Sequence, residues 1–427
     1  MPPTVSMPEV APSRPRSKPQ RIADGVLVAL FLVGITVPSI EMFVARDNPD
    51  VARTEQRMPA SFPQVVYKQI GPIQWPKSFS LMEFPHKFEN WFDDHVGFRR
   101  PMIRCYNLAK VFGLTVESRV AVGESAHGNV TVGRDGWLYL AGGPIVRDFR
   151  RIDPFKASEL TAWRETLTKR REWLAAAGIG YTLFIAPNQQ TIYPEFMPRS
   201  MTRADRPSRL EQFLAEGSRE PKLSILDPRA ELTAAKSKYP TYHKTDTHWN
   251  DYGAYFGYRM IMDEINRQFP TTPAAPLESF TIDAKQVLNF GDMVRALNAP
   301  IDYEQTLVKL VPHQPRQAKF EEFKTAEGAT AFKSTNYAVP RGRMVVFHDS
   351  FTEYLQPFLS EHFREVYYYT TFSADAIAEL KPDFVLEEFV ERRLMGTVAQ
   401  NPPRMDQPLG PSAATSMEAR TPSETRR

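Results

Sequence analysis

Beyond residue 157 the chain alternates between apolar stripes of helical period and short unbroken apolar runs. Ser158 to Ala177 reads as a helix, with Ser158 at its cap and Gly178 as its stop. Tyr181 to Ala186 reads as a buried strand that runs into Pro187-Asn188-Gln189-Gln190, and Leu223 to Asp227 as a second strand. Asn250 caps a helix that reaches about Phe269. Met344 to Phe347 is a third strand, followed by a helical pattern broken at Pro357; Val366–Tyr369 and Phe384–Glu387 make five. Unbroken apolar strands separated by helices predict a three-layer α/β/α domain whose parallel sheet is covered on both faces. In such sheets ligands bind beyond the carboxyl ends of the strands. Residues 271–340 interrupt the alternation and read as an insertion.

Upstream the pattern is different. Val132 to Tyr139 holds an Asp135-Gly136 turn between apolar runs, a hairpin signal. Phe84 to Arg99 is an aromatic-rich amphipathic segment, in which His86 and His95 read as packing or surface residues. Residues 47–80, with prolines at 49, 59, 63, 72 and 76, read as a tether within a domain running from 47 to 395. Gly25 to Ile40 carries no charge, and with Met42 to Ala45 added it approaches the ~20 residues that span a bilayer. Phe43-Val44-Ala45 lacks the small-x-small pattern of a cleavage site, so residues 22–46 are expected to be a retained transmembrane helix. Arg14, Arg16, Lys18 and Arg21 before it put a disordered tail, 1–21, in the cytoplasm and the rest in the periplasm of a bacterium. Residues 396–427, rich in Pro, Ser, Thr and Arg, are expected to be a disordered tail.

Composition narrows the field. At 427 residues and 42% hydrophobic, the chain can bury a substantial core. A net charge of +3, with no basic face, argues against nucleic acid as a partner. Cys105 is the single cysteine, so no disulfide forms within the monomer; it reads as a small buried apolar residue.

Candidate chemistry sits between the predicted elements. In Tyr242-His243-Lys244-Thr245-Asp246-Thr247-His248-Trp249-Asn250, a carboxylate and an imidazole lie two apart in a polar turn before a helix. That spacing fails on a helix face but serves in a turn, where both side chains can enter one cleft. Asp246 would orient His248 as base, and Ser350, at the end of the strand in Met344–Ser350, is the candidate nucleophile. The plain alternatives are turn residues and a helix-capping serine, and a metal site at His243, Asp246 and His248.

Several blocks together give a resemblance. Residues 88–99 (FENWFDDHVGFR), GRDGWLY at 133–139, PNQQTIYPEFMP at 187–198, TDTHWN at 245–250, FGDM at 290–293, HDSF at 348–351 and LKPDFVLEEFVERRL at 380–394 resemble the alginate O-acetyltransferase family. These are the AlgJ/AlgX-like proteins with an SGNH-hydrolase-like domain. The resemblance spans about residues 80–395 and implies a flavodoxin-like α/β/α fold. It also implies a Ser-His-Asp triad at Ser350, His248 and Asp246 that moves acetyl groups onto an exopolysaccharide. As in that family, Asp-x-His precedes the serine, although His348-Asp349-Ser350 stands where Gly-Asp-Ser is common. With no carbohydrate-binding module after residue 395, the chain is similar to the membrane-anchored members. The implied partners are the exopolysaccharide acceptor and a membrane-embedded acetyl-donor protein of the membrane-bound O-acyltransferase type; no metal or other cofactor is expected. Asp349 is expected to cap the helix after it and the Ser350 N–H to serve the oxyanion; Asn188 is a second oxyanion donor or a turn residue, Trp249 a face for a sugar ring or core packing, and His348 a cleft residue or a structural histidine. An acetyl-esterase or a catalytically silent polysaccharide-binding scaffold would keep the same fold.

Overall fold

The computed structural model describes residues 18–44, 60–70, 73–76, 78–97, 102, 105, 130–269, 271–297, 301–398 and 400–409. The chain divides into two compact units, Met1–Tyr106 and Asn107–Arg427.

The first unit holds helix α1 (Lys18–Val44), a two-stranded antiparallel ribbon of β1 (Tyr67–Ile70) and β2 (Ile73–Pro76), and helix α2 (Ser78–His95). Leu27 and Phe31 of α1 are exposed. The uncharged stretch between Asp24 and Glu41 is shorter than the ~20 residues of a bilayer span, and Pro38 lies inside the helix. No helix among the described residues is long and apolar enough to cross a membrane. Of the expected N-terminal tail, residues 1–17 lie outside the described residues, and 18–21 begin α1. In α2, Phe88, Trp91 and Phe92 cluster with Phe62 and Phe84, and His95 Nδ1 lies 2.7 Å from the Trp91 carbonyl, so the two histidines are absorbed locally. Cys105 is exposed, not buried as its residue type suggested.

The second unit is built on a seven-stranded sheet. Its helices and strands, in chain order, are β3 (Val130–Val132), β4 (Leu138–Leu140), α3 (Gly143–Phe149), α4 (Ala157–Ala175), β5 (Gly180–Ala186), α5 (Gln189–Ile192), α6 (Arg209–Gly217), β6 (Ile225–Leu226), α7 (Arg229–Ala235), α8 (Asp251–Gln268), β7 (Phe280–Leu288), α9 (Asp292–Leu297), β8 (Glu304–Pro312), β9 (Lys319–Lys324), β10 (Thr330–Thr335), β11 (Arg343–Phe347), α10 (Gln356–Leu359), β12 (Glu365–Tyr369), α11 (Ala374–Leu380) and β13 (Phe384–Val390). The strand order is β6-β5-β13-β11-β12-β10-β9. The five strands expected from the sequence form the parallel part. β10 and β9 then extend it antiparallel, so the sheet is mixed, not wholly parallel. Both extra strands come from the presumed insertion.

Alternate residues of the central strands feed two separate cores, as a sheet covered on both faces requires. Phe184, Val346 and Leu386 pack on one side with Tyr255, Tyr258, Ile261 and Ile265 of α8. Leu183, Val345 and Val385 pack on the other with Trp163, Leu167 and Leu174 of α4 and Phe213 of α6. Helix α4 is capped at Lys156, two residues before the expected Ser158 cap: Glu159 reaches back 2.8 Å to the Lys156 N–H. Its stop is the expected one, Gly178 at φ +73°.

The segment after residue 395 corrects the expected tail. The Asn401 Oδ1 accepts from Arg170 Nε at 2.8 Å, the Gln407 carbonyl accepts from the Trp173 indole at 2.8 Å, and Met405 is buried. Residues 400–409 are therefore a strap on α4, anchored where Arg170 also forks onto Glu387 at 2.6 and 2.7 Å. Residues 410–427 lie outside the described residues.

Candidate active site

Asp246, His248 and Ser350 are brought together at the carboxyl end of β11. The His248 Nε2 lies 2.7 Å from Ser350 Oγ, and its Nδ1 lies 2.6 Å from Asp246 Oδ1. The two segments are fixed independently. Tyr242 and Trp249 pair as an isolated antiparallel bridge that closes the 242–250 loop, and Asn250 then caps α8 through Gly253 N–H at 3.0 Å. At the other wall, Ser350 begins a 3-10 turn (Ser350–Tyr354) whose cap is Asp349, as expected: one carboxylate oxygen accepts from Phe351 N–H at 3.0 Å, the other from Val390 N–H at 2.7 Å. That second bond pins the Ser350 turn to β13. The Ser350 N–H itself has no hydrogen-bond acceptor among the described residues.

Asp246 is anchored by the segment that read as an insertion. Its Oδ2 accepts from the Asp292 N–H at 2.9 Å, while Oδ1 also accepts from His248 N–H at 3.1 Å. The Asp292 carboxylate in turn accepts from Thr247 N–H (2.9 Å) and Thr247 Oγ (2.8 Å). Gly291 makes this approach feasible: its φ is +116°, and a Cβ there would stand 2.2 Å from the Thr245 carbonyl oxygen. Gln305 of β8 completes the buttress, with Nε2 donating to Thr245 Oγ1 at 2.7 Å and Oε1 accepting from Lys244 N–H at 2.8 Å. Asp292 and Gln305 carried no assigned role in the sequence. The Gly-Asp step in FGDM was the available signal for the first; Gln305 gave none.

The electrostatics follow from burial and pairing. Burial raises the Asp246 carboxyl, but the hydrogen bond and charge of His248 outweigh it and hold it at about 2. Burial lowers the His248 imidazole, yet Asp246 more than compensates, leaving it above its ordinary value. Asp292 is raised by burial and by Asp246 beside it. The donor atoms of Asp246, His248 and Asp292 lie within 4.8 Å of one another, so Asp292, not His243, completes the set that could hold a metal ion. Those atoms are already committed: Nδ1 and Oδ1 to each other, and the Asp292 oxygens to Thr247. The arrangement is built for proton transfer to His248, with the carboxylate fixing the tautomer.

The flanking residues divide. His243 is buried, its Nε2 3.0 Å from the Tyr354 hydroxyl, and burial lowers it to about 4, so it is neutral. It steadies Tyr354, whose ring stacks on His248. Trp249 does not face a sugar: it is fully buried, packed on Phe184 and Phe351, and its indole donates to the Phe351 carbonyl at 3.0 Å. The core-packing alternative holds: the indole packs on Phe351 and donates to its carbonyl, tying the two site segments together. His348 is buried by its own strand end, with Nδ1 2.7 Å from the Asp349 carbonyl and Nε2 unpartnered among the described residues. Asn188 stands at the carboxyl end of β5, its N–H bonded to Glu391 at 2.8 Å and its side chain on a cavity with Asp148 and Glu391.

The family model described as "SGNH hydrolase-like domain, acetyltransferase AlgX" matches residues 130–391. No curated protein matches the sequence. Among solved structures, Bacillus cereus PatB1 with a sulfonyl adduct is 15% identical, at a TM-score of 0.48, over 63% of this chain and 97% of its own. The O-acetyltransferase domain of Pseudomonas putida AlgJ is 20% identical (TM-score 0.41; 65% and 98%), and Pseudomonas aeruginosa AlgX 14% identical (0.38; 67% and 67%). Because the family match takes in well over half of the 427 residues, including every segment that builds the Ser350–His248–Asp246 cluster, the chain belongs to the AlgX-type family of SGNH hydrolase-like acetyltransferase domains.

Proposed function

We propose that this protein is a polysaccharide O-acetyltransferase that works through an acetyl-serine at Ser350. The hydrogen-bonded run Ser350–His248–Asp246, at 2.7 and 2.6 Å, is the observation that carries the reading. His248 Nε2 takes the hydroxyl proton as Ser350 Oγ attacks the acetyl carbonyl, and Asp246 stabilises the imidazolium. The proton then goes to the leaving group. In the second half, His248 deprotonates a sugar hydroxyl, which takes the acetyl group and frees Ser350. Base action of this kind is typically worth about 10²–10⁴ in rate. The unpaired Ser350 N–H is the first donor to the oxyanion; removing one such donor costs ~10²–10³ in kcat.

The address is part of the same proposal. Helix α1 carries exposed apolar residues behind a basic tail, and it tethers the catalytic unit to the outer face of a bacterial inner membrane, beside a membrane-embedded acetyl donor of the O-acyltransferase type. Cell fractionation of the chain with and without residues 1–46 tests this: release of only the shortened form supports the tether.

The chemistry is tested by incubating the protein with 4-nitrophenyl acetate and mapping the added mass. One acetyl group on Ser350, absent from Ser350→Ala, is expected. Acetyl transfer that persists in Ser350→Ala overturns the proposal.

A further inference from the structure

A cavity of about 630 Å³ opens beyond the carboxyl ends of β5 and β13. Its volume lies inside the range of ligand sites, about 300–1,000 Å³. Three polar side chains on its wall are each more than nine-tenths buried: Asn188 (2% exposed), Gln190 (4%) and Asp148 (6%). No side-chain hydrogen bond within the protein engages any of the three among the described residues, and all three line the cavity. Two amides and a carboxyl group left open on the wall of one cavity can donate to and accept from a polar ligand.

The cations nearby are largely occupied. Arg229 is bound to Asp227 at 2.8 Å, Arg151 lies 3.5 Å from Glu211 and Arg203 lies 5.5 Å over the Phe149 ring; four carboxyl groups, Asp148, Glu211, Asp227 and Glu391, share the lining with these three guanidiniums, so the cavity offers little to an anion. Two amides that donate and accept, beside a carboxylate that accepts, suit neighbouring hydroxyls. The half-buried ring of Phe149 supplies an apolar wall for C–H groups.

The cavity shares its walls with the triad. Along 187–190 the chain alternates: Asn188 and Gln190 line the cavity, while the Pro187 carbonyl accepts from Tyr242 (2.6 Å) and Gln189 donates to the His243 carbonyl (2.7 Å). Beside Asn188, Glu391 also lines the cavity, and the guanidinium of the next residue, Arg392, lies 5.4 Å from the centre of the Phe351 ring, next to Ser350.

We propose that this cavity is a subsite for one neutral pyranose unit of a saccharide, held by Asn188, Gln190 and Asp148 through its hydroxyls. Resting on the reading of the site as a polysaccharide acetyltransferase, it seats a unit of the acceptor chain beside the one being acetylated.

Binding is measured on the full chain carrying Ser350→Ala, so that it is read without turnover. Glucose-, mannose- and galactose-based neutral trisaccharides are titrated by calorimetry and by ligand-observed NMR. At least one should bind saturably, with Kd on the order of 1 mM or tighter. Adding Gln190→Ala or Asp148→Asn should weaken it about tenfold, with thermal unfolding checking that each variant is folded. If no trisaccharide binds saturably, or if neither added substitution changes the affinity, the subsite assignment is overturned. A saccharide that binds here while Ser350 takes up no acetyl group sinks the acetyl-transfer reading alone. Acetylation of Ser350 without saccharide binding sinks the subsite alone.

Discussion

Replacing Gly291 by alanine should cripple catalysis without removing any reacting group. The added Cβ would stand 2.2 Å from the Thr245 carbonyl oxygen and 2.9 Å from the Asp246 Cβ, with φ at +116°. Cβ atoms essentially never approach closer than 3.0 Å, and the obstacle is backbone, so the 290–292 segment must retreat. The retreat is about 1 Å, and misplacements of that size in a catalytic array cost on the order of 10²-fold. It draws the Asp292 N–H off Asp246 Oδ2, now at 2.9 Å, and frees the carboxylate that orients His248. The strained backbone adds about 1–3 kcal/mol of lost stability. Gly328→Ala is the matched control: φ is +81°, but nothing lies within 4 Å of its Cβ. Both variants should melt a few degrees lower, by ~2–4 °C per kcal/mol in a domain of this size. Only Gly291→Ala should lose kcat on 4-nitrophenyl acetate, by roughly 10²-fold, with KM changed little. A Gly291→Ala enzyme that is less stable yet turns over at the parent rate refutes the reasoning.

The acid limb of the rate profile should lie above pH 6.5, because the base form of His248 is needed and Asp246 holds its pKa above that value; a limb below 6.5 would contradict the pairing. Asp246→Asn should move that limb downward and cost ~10⁴ in kcat, since it disfavours the working tautomer. The Asp246 contribution to stability is full above pH 3.8 and is lost as pH falls towards about 2, whereas that of His248 is full below 6.5 and fades as pH rises through its raised pKa. Trp249→Phe should lower stability by about 1–3 kcal/mol, because the buried Phe351 carbonyl loses its donor; an unchanged denaturation midpoint would contradict that. Ending the chain after Met395 removes the acceptors of Arg170 Nε and the Trp173 indole together with buried Met405, so the melting temperature should drop by several degrees. Burial, with Glu391 adding, raises the Asp148 carboxyl to about 7. Wild type therefore loses stability as pH climbs from 4 to 7, and the advantage of Asp148→Asn in chemical denaturation should grow over that window.

The parallel half of the sheet and the Asp-His-Ser cluster could be read in the sequence, and the reasons are specific. Leu183, Val345 and Val385 are apolar on both sides of their strands because both faces are covered, and that gives an unbroken run. Asp246 and His248 stood out because a turn of that spacing has no helical explanation. The two antiparallel strands did not stand out: Lys319–Lys324 is exposed along nearly its whole length, so no apolar period marks it. The support of Asp246 was hidden because it is given by a backbone N–H, which has no side-chain signature. Trp249 stayed open between a sugar face and core packing because an aromatic side chain in a polar turn gives no hint of which way the turn faces. The 400–409 strap is held by carbonyls and single polar contacts, in a composition that otherwise reads as unstructured.

The carboxylate that steers the base is propped by a ribbon, β7 and β8, which pairs only with itself and stands apart from the seven-stranded sheet. Its Gln305 and the turn at 291–292 reach the 244–246 loop from outside that sheet. Turnover is thereby given an adjustment point remote from the reacting atoms. Changes at Gln305 or in the 290–292 turn would reach Asp246 and so alter the rate while Ser350 and His248 stay as they are.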